Sequence, residues 1–477
     1  MKRIILFSFL LLPVLGFAQD GYEIKVSFKP FKNQYVYLGH YFGKSYPIID
    51  SAMLNDKSEA VLKGNKKLNG GIYLIGYPNK AGFFEILVDK EQKFSIKADT
   101  LTIAQGATYE HSSDNVLFSS YQQHMSAKGK QIQSLQHQLK TASNKPDSTR
   151  LIAELTKTDR EVKNYREDLI KKNPGTLLAT LLIAMREPEL TGKLKDPKTK
   201  EDSLASYNFY KDQFWEGVNF WDGRLAYTTF FEDKLDKYFN QLVIPHPDSV
   251  IREIDNMLGY ASVNEEMTRF LLIKFVNRYI NQKYMWEDAV FVHLFEKYFS
   301  NKDYTWLAEK GKKTITDRAY SLMANIMGTP ASDIELPDSS GKMTTLYNLS
   351  ADYTVVVFWD PSCGHCKEVL PRLDSFYRAK WKGAGLKMFA VSKETDGSKK
   401  DWTDFIHLKK LEDWTHVYYS KADDKARISS GIPGYSQLYD VQSFPTLYLL
   451  DKDKRIVAKK LAVEQINDVL ELKRKGQ

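Results

Sequence analysis

The two cysteines of this 477-residue chain both lie in one tetrapeptide, Cys363-Gly364-His365-Cys366. A disulfide between thiols two residues apart closes a very short loop, which removes little entropy from the unfolded chain. Such a bond is a weak structural crosslink but a suitable centre for thiol-disulfide exchange. The spacing therefore predicts a redox-active pair.

The tetrapeptide follows the apolar run 354–359 and opens a stretch with a helical pattern, which extends to about Lys380. Cys363 is then expected at a helix N-terminus, where unpaired backbone N–H groups and the helix dipole favour a thiolate. We predict that Cys363 is the nucleophile and that Cys366, one turn further and facing inward, resolves the mixed disulfide. His365 is predicted to stabilise the thiolate and so make the disulfide more oxidising.

A second motif, Phe444-Pro445-Thr446, comes directly before the apolar run 446–450. A proline at the start of a strand fits a cis peptide bond whose preceding backbone edge can pair with an extended substrate. We therefore place Pro445 in the predicted active site. The residues predicted to contact a substrate are Trp359, Phe444 and Thr446.

The segment from Trp359 to Lys367, taken with Pro371 and the second motif, resembles the thioredoxin superfamily. Within it, residues 328–477 are similar to the exported thiol-disulfide oxidoreductases of the TlpA/ResA type, and residues 330–346 resemble the N-terminal hairpin of that group. The resemblance implies a thioredoxin fold and exchange with protein thiols and disulfides, with the Cys363–Cys366 disulfide as the redox centre. It also implies that the enzyme needs no metal and no other cofactor. A membrane electron donor is expected to keep the dithiol reduced, so that the enzyme acts as a reductase.

These relatives carry an acidic residue that exchanges a proton with the second cysteine, and this chain lacks an acidic residue at the matching positions. Thioredoxin-type reductases carry a buried Asp six residues before the nucleophile, and this chain has Val357 there. The ResA-type acidic residue three positions after the second cysteine is replaced by Val369. Glu368 is therefore the predicted base, with water or Glu394 as alternatives.

The chain is long enough for several domains, each with its own core. A charged start, an apolar stretch and small residues before Gln19 predict a signal peptide over residues 1–18. About 14 apolar residues are too few to span a bilayer. Short alternating apolar runs predict an antiparallel β-sandwich-like domain over residues 19–110. Apolar residues three and four apart predict an α-helical domain over residues 111–327. Alternating strands and helices predict an α/β thioredoxin fold over residues 328–477.

The formal net charge of +8 is spread among acidic residues, which argues against nucleic-acid binding. No later window is apolar enough to span a membrane, so we expect no transmembrane segment in the mature chain. The layout upstream of the dithiol resembles multidomain thioredoxin-like proteins from Bacteroidetes. By that likeness the protein is exported to the periplasm of a Gram-negative bacterium.

Other functions remain open at this stage. The Gly-His pair is the one found in protein disulfide isomerases, whose potentials lie near about −180 mV against about −270 mV for thioredoxin, so isomerase or oxidase activity is an alternative. An envelope binding protein with an accessory redox domain is another. A peroxidase is disfavoured because Pro361 and Ser362 directly abut Cys363, and zinc binding because no second ligand pair has matching spacing.

Overall fold

A computed structural model describes residues 21–78, 80–103, 106–142, 144–396 and 398–474. The chain forms two compact units, one of residues up to 243 with 256–271, the other of residues 244–255 with those from 272 onward. The predicted signal peptide, residues 1–18, lies outside the described residues.

The described part of the first unit begins with eight strands: β1 (Tyr22–Lys29), β2 (Tyr35–His40), β3 (Ile48–Met53), β4 (Glu59–Gly64), β5 (Gly71–Gly76), β6 (Phe83–Val88), β7 (Lys93–Asp99) and β8 (Thr108–Glu110). They form two four-stranded sheets, ordered β4-β1-β7-β8 and β3-β2-β5-β6. Phe28 of the first sheet packs edge-on against Phe84 of the second, with ring centroids 5.7 Å apart. The predicted β-rich fold is confirmed, with one difference: β1 and β7 pair in parallel.

Within the described ranges, nine α-helices come next along the chain: α1 (Ser113–Thr141), α2 (Lys145–Lys172), α3 (Leu177–Ala184), α4 (Lys200–Gln213), α5 (Phe230–Gln241), α6 (Pro247–Ala261), α7 (Glu265–Tyr279), α8 (Glu287–Tyr298) and α9 (Glu309–Met323). Side-chain caps explain several of their starts, as where the Asn144 side chain accepts a hydrogen bond from the Asp147 amide. Helices α1 and α2 pack together, and the His124 ring stacks on Tyr165 at 3.7 Å between centroids. The predicted helical middle region is confirmed.

The second unit contains a hairpin of β9 (Glu335–Pro337) and β10 (Met343–Thr345), then the strands β11 (Tyr353–Trp359), β12 (Leu386–Lys393), β13 (Thr415–Tyr419), β14 (Thr446–Asp451) and β15 (Ile456–Lys459). Its helices are α10 (Gly364–Phe376), α11 (Lys399–Lys409), α12 (Lys421–Ser429), α13 (Tyr435–Leu438) and α14 (Val463–Arg474). The five-stranded sheet has the order β13-β12-β11-β14-β15, with β11 to β13 parallel and the last two strands antiparallel. This is the predicted α/β thioredoxin fold.

Strand β11 is the middle strand of that sheet and is buried on both faces. Val355 and Val357 belong to one core, together with residues of α10 and α14, and Val356 and Phe358 belong to the other. Successive side chains of a strand point to opposite faces, so a continuous apolar run fits a strand covered on both sides. The position of β11 fixes where the dithiol emerges, at the carboxyl end of the middle strand.

Helices α8 and α9 pack within the same unit as this sheet. Lys459 of β15 forms a buried ion pair with Asp288 of α8. The Lys459 ammonium also donates to the backbone and side-chain oxygens of Asn325, both at 2.6 Å. No helix in the described part of the chain is long and apolar enough to cross a membrane.

Candidate active site

Cys363 occupies the N-cap position of α10, as predicted. Its amide donates to the Asp360 carbonyl at 3.1 Å, and its own carbonyl accepts from the Lys367 amide at 3.3 Å, closing the turn between β11 and the helix. The side chain is half-buried, and its sulfur lies 3.6 Å from the Phe444 carbonyl oxygen. A disulfide of a partner can therefore approach this sulfur beside the 444–445 loop.

Cys366 is fully buried, in contact with the core that includes Trp359 and Leu370. Burial raises the pKa of the Cys366 thiol strongly, and the neighbouring Cys363 and the Asp360 carboxylate add to the effect, whereas a hydrogen bond from the Asp360 backbone amide opposes it. The inward orientation predicted for Cys366 is present. Its proton must be removed before it can attack a disulfide.

His365 and Glu368 lie on the exposed side of α10. Their side chains are 67% and 79% exposed, and the nearest ring nitrogen and carboxylate oxygen are 3.9 Å apart. His365 therefore acts on Cys363 only through solvent-screened electrostatics. Since Glu368 faces water while the Cys366 thiol is buried, the structure gives no support to Glu368 as its base.

The loop before β14 brings the second motif to the dithiol. The Phe444–Pro445 peptide bond is cis, as predicted, and both residues are half-buried beside Cys363. Thr446 is buried, and its hydroxyl donates to the Ser443 carbonyl at 2.6 Å. Phe444 remains available for contact with a substrate, whereas Thr446 does not.

Trp359 also differs from its predicted role. Its side chain is 0% exposed and packs against Phe405 of α11, with ring centroids 5.2 Å apart. The prediction that Trp359 and Thr446 bind a substrate is therefore wrong, because both side chains fill the core below the site surface.

Asp360, which the sequence analysis did not single out, lies directly under the dithiol. It is 1% exposed, and its Oδ1 accepts hydrogen bonds from the amide of Ser362, at 2.6 Å, and from the hydroxyl of the same residue. Its Oδ2 is buried and has no hydrogen-bond partner among the described residues. An aspartate between a strand and Pro361 is typical of a turn, so its sequence position alone indicates local capping and not chemistry.

Asp440 anchors the loop that carries Phe444 and Pro445. Its Oδ1 accepts from Arg318 and Ser321 of α9, each at 2.8 Å, and from Gln442 at 2.9 Å, while its Oδ2 pairs with Lys460. Burial alone raises the pKa of Asp440, but the hydrogen bonds from Lys460 and Arg318 outweigh it and lower the pKa to about 2.

The described residues contain no group of three or more His, Cys, Asp or Glu side chains arranged to hold a metal ion.

Comparison with known proteins matches two parts of the chain to family models. Residues 327–459 match the AhpC/TSA family, and residues 160–323 match a domain of unknown function, DUF5106. The thiol-disulfide oxidoreductase ResA of Bacillus cereus is 27% identical over 146 residues, which are 30% of this chain and 75% of that protein.

Two solved structures are similar to parts of the chain. A thioredoxin-like protein from Bacteroides caccae is 20% identical with a TM-score of 0.44, and the match covers 60% of this chain and 98% of that one. A domain of a possible thiol-disulfide isomerase from Cytophaga hutchinsonii is 31% identical with a TM-score of 0.28, covering 31% of this chain and 94% of that one.

Proposed function

We propose that this protein reduces disulfides of exported protein substrates through a C-terminal domain that matches the AhpC/TSA family and is similar to a thiol-disulfide oxidoreductase. The observation that carries the proposal is the pairing of a half-buried Cys363 at the N-cap of α10 with a fully buried Cys366 in the next turn. Of the two thiols, only Cys363 can meet a large partner.

The reaction follows from this geometry. The Cys363 thiolate attacks one sulfur of the substrate disulfide, which breaks that bond, forms a mixed disulfide and releases one substrate thiolate to be protonated. The Cys366 thiolate then attacks the Cys363 sulfur, forms the Cys363–Cys366 disulfide and releases the second substrate thiol. The substrate gains two electrons and the dithiol loses two, which a membrane electron donor restores.

Export and the periplasmic location are part of the same proposal. They are supported by the charged and apolar start of the sequence and by the likeness of residues 328–477 to exported oxidoreductases. Fractionation of cells that produce the full chain tests them, since retention of the protein in the cytoplasm would contradict both.

Replacement of each cysteine tests the exchange mechanism. With oxidised glutathione and with insulin as probes, Cys366→Ser should accumulate a mixed disulfide on Cys363, and Cys363→Ser should form none. Mass spectrometry of the acid-quenched reaction reports both. Exchange by the Cys363→Ser protein would contradict the proposal.

The reduction potential decides between the proposed reductase and its alternatives. In an equilibration of the purified protein with glutathione, a value nearer to about −270 mV, that of thioredoxin, would support the reductase, whereas a value near about −180 mV would favour disulfide isomerisation. Capture of substrate by a protein lacking both cysteines would favour an envelope binding protein with an accessory redox domain.

A further inference from the structure

The resolving step of this mechanism needs a group that removes the proton of Cys366. The thiol is fully buried, so water reaches it poorly. The two positions where relatives carry a carboxylate hold Val357 and Val369, both buried among apolar side chains. Glu368 points to solvent.

Asp360 is a buried carboxylate next to the Cys366 thiol. It is 1% exposed, its backbone amide is hydrogen-bonded to the Cys366 sulfur, and its carboxylate interacts electrostatically with the same sulfur. Ser362 occupies Oδ1 with two hydrogen bonds and so fixes the carboxylate. Oδ2 stays without a partner in the described structure, so one oxygen is free to take a proton.

We propose that Asp360 accepts the proton of Cys366 when Cys366 attacks the mixed disulfide, an inference that rests on the exchange function proposed above. The Cys366 S–H bond breaks and its proton moves to Asp360 Oδ2. The sulfur's electron pair forms the bond to Cys363, and the bond between Cys363 and the substrate breaks with its electrons on the departing thiolate. The proton then leaves Asp360 for that thiolate or for water.

The groups around Asp360 fit this role. Cys366 of α10 and Tyr418 of β13 interact electrostatically with its carboxylate. Burial raises the pKa of Tyr418, with Glu394 and then Asp360 adding to it, so the phenol stays neutral near the carboxylate. No cationic side chain is hydrogen-bonded to Asp360 in the described structure.

The test uses the full chain with Asp360→Asn, which keeps the size of the side chain and an oxygen for Ser362. Capture of oxidised glutathione by Cys363 is the first step, and release of glutathione by Cys366 is the second. We expect capture to be unchanged and release to slow by about 100-fold, the usual size of a general-base effect. Release in the variant should also rise about tenfold per pH unit, because only Cys366 that has already ionised can react.

Glu464→Gln is the matched control, since it removes an exposed acidic group that pairs with Arg372 of α10, and release should stay within about threefold of the wild-type rate. Asp360→Glu should restore part of the lost rate. Equal release rates and pH profiles for Asp360→Asn and the wild type would overturn the inference. Failure of the wild-type protein to capture glutathione would instead overturn the proposed function.

A second measurement keeps the inference testable if Asp360→Asn does not fold. The infrared difference spectrum of the wild type, recorded between the reduced and the oxidised protein, reports whether a buried carboxyl changes its protonation or hydrogen bonding. The absence of any carboxyl band in that difference spectrum would overturn the assignment.

Discussion

His365, between the two cysteines, is expected to tune the potential of the dithiol. Its ring lies on the exposed side of α10, paired with Glu368. Replacing His365 with Ala removes the ring that is predicted to stabilise the Cys363 thiolate, which destabilises the reduced form and makes the pair more reducing. Solvent screening limits the effect to about tenfold in the equilibrium constant, or about 30 mV.

Equilibration with glutathione at low and high salt measures this shift. Glu368→Gln is the control of opposite sign, because it removes the anion next to His365 and should make the pair more oxidising. Shifts of the same sign in both variants would show that the imidazole does not act through its charge.

His416 of β13 makes stability depend on pH. It is 8% exposed, one ring nitrogen lies 2.8 Å from the Leu411 carbonyl oxygen, and burial lowers the pKa of His416 to about 4. In the unfolded chain the same histidine has an ordinary pKa of about 6.5. Between about pH 6.5 and about pH 4 the unfolded chain therefore binds a proton at His416 that the folded protein does not bind. Stability therefore falls as the pH drops from about 6.5 to about 4, by about 3 kcal/mol, and this group adds no further loss below that.

Urea denaturation at pH 7 and pH 4.5 tests the histidine effect. A His416→Asn protein should lose less stability than the wild type between the two pH values. The exposed His407, whose side chain is 74% exposed, is the control, and His407→Asn should retain the wild-type pH dependence. Equal losses of stability between the two pH values in His416→Asn and in the wild type would contradict the role given to His416.

At the scale of elements, helix α9 holds the loop that carries Phe444. Arg318→Ala removes one hydrogen bond and one ion pair from Asp440, which is 3% exposed in its side chain. Because Lys460 and Gln442 remain as partners, we expect a loss of about 2 kcal/mol in the free energy of unfolding and not the full cost of an orphaned charge. Arg372→Ala, which breaks an exposed pair with Glu464, should change it by less than about 0.5 kcal/mol.

The Asp440 network also predicts that the free energy of unfolding decreases at acidic pH. The folded pKa of Asp440, about 2, lies below the ordinary value of 3.8, so its contribution to stability is present above about pH 3.8 and is lost as the pH falls toward 2. In Arg318→Ala the loss of stability between pH 5 and pH 2.5 should be smaller, which denaturation at the two pH values will show. An unchanged loss of stability would mean that Lys460 alone sets the pKa of Asp440.

The elements differ in how well the sequence predicts them. Strands β11 and β14 can be predicted because the continuous apolar runs 354–359 and 446–450 indicate buried strands. Strand β4, with alternate residues exposed, and the short α13 give weaker sequence patterns, since each has so few residues. The two cysteines and Pro445 stand out by residue type and spacing, whereas Asp360 gains its meaning only from burial, which no local pattern reveals.

At the scale of the whole molecule, an ion pair joins residues distant in sequence. Lys459 and Asp288 are 2% and 4% exposed in their side chains. Asp288→Ala should cost about 3 kcal/mol, because it leaves a buried ammonium with only the oxygens of Asn325. Asp303→Ala, which breaks an exposed pair with Lys312, is the control and should cost less than about 0.5 kcal/mol. Equal midpoints of denaturation for the two variants would contradict the role given to the buried pair.

The same pair determines how much of the chain the redox domain needs. The sequence predicts a domain starting at residue 328, but a fragment cut there lacks Asp288 and Asn325, the partners of Lys459.

In a fragment of residues 244–477, Lys459→Met leaves Asp288 buried and unpaired, and we expect a loss of about 3 kcal/mol. In a fragment of residues 328–477, water replaces the missing partners, so the same substitution should change stability by less than about 0.5 kcal/mol. The difference between the two effects, measured by urea denaturation, is the coupling between α8 and the sheet. Equal effects in both fragments would mean that the redox domain is stabilised without these helices.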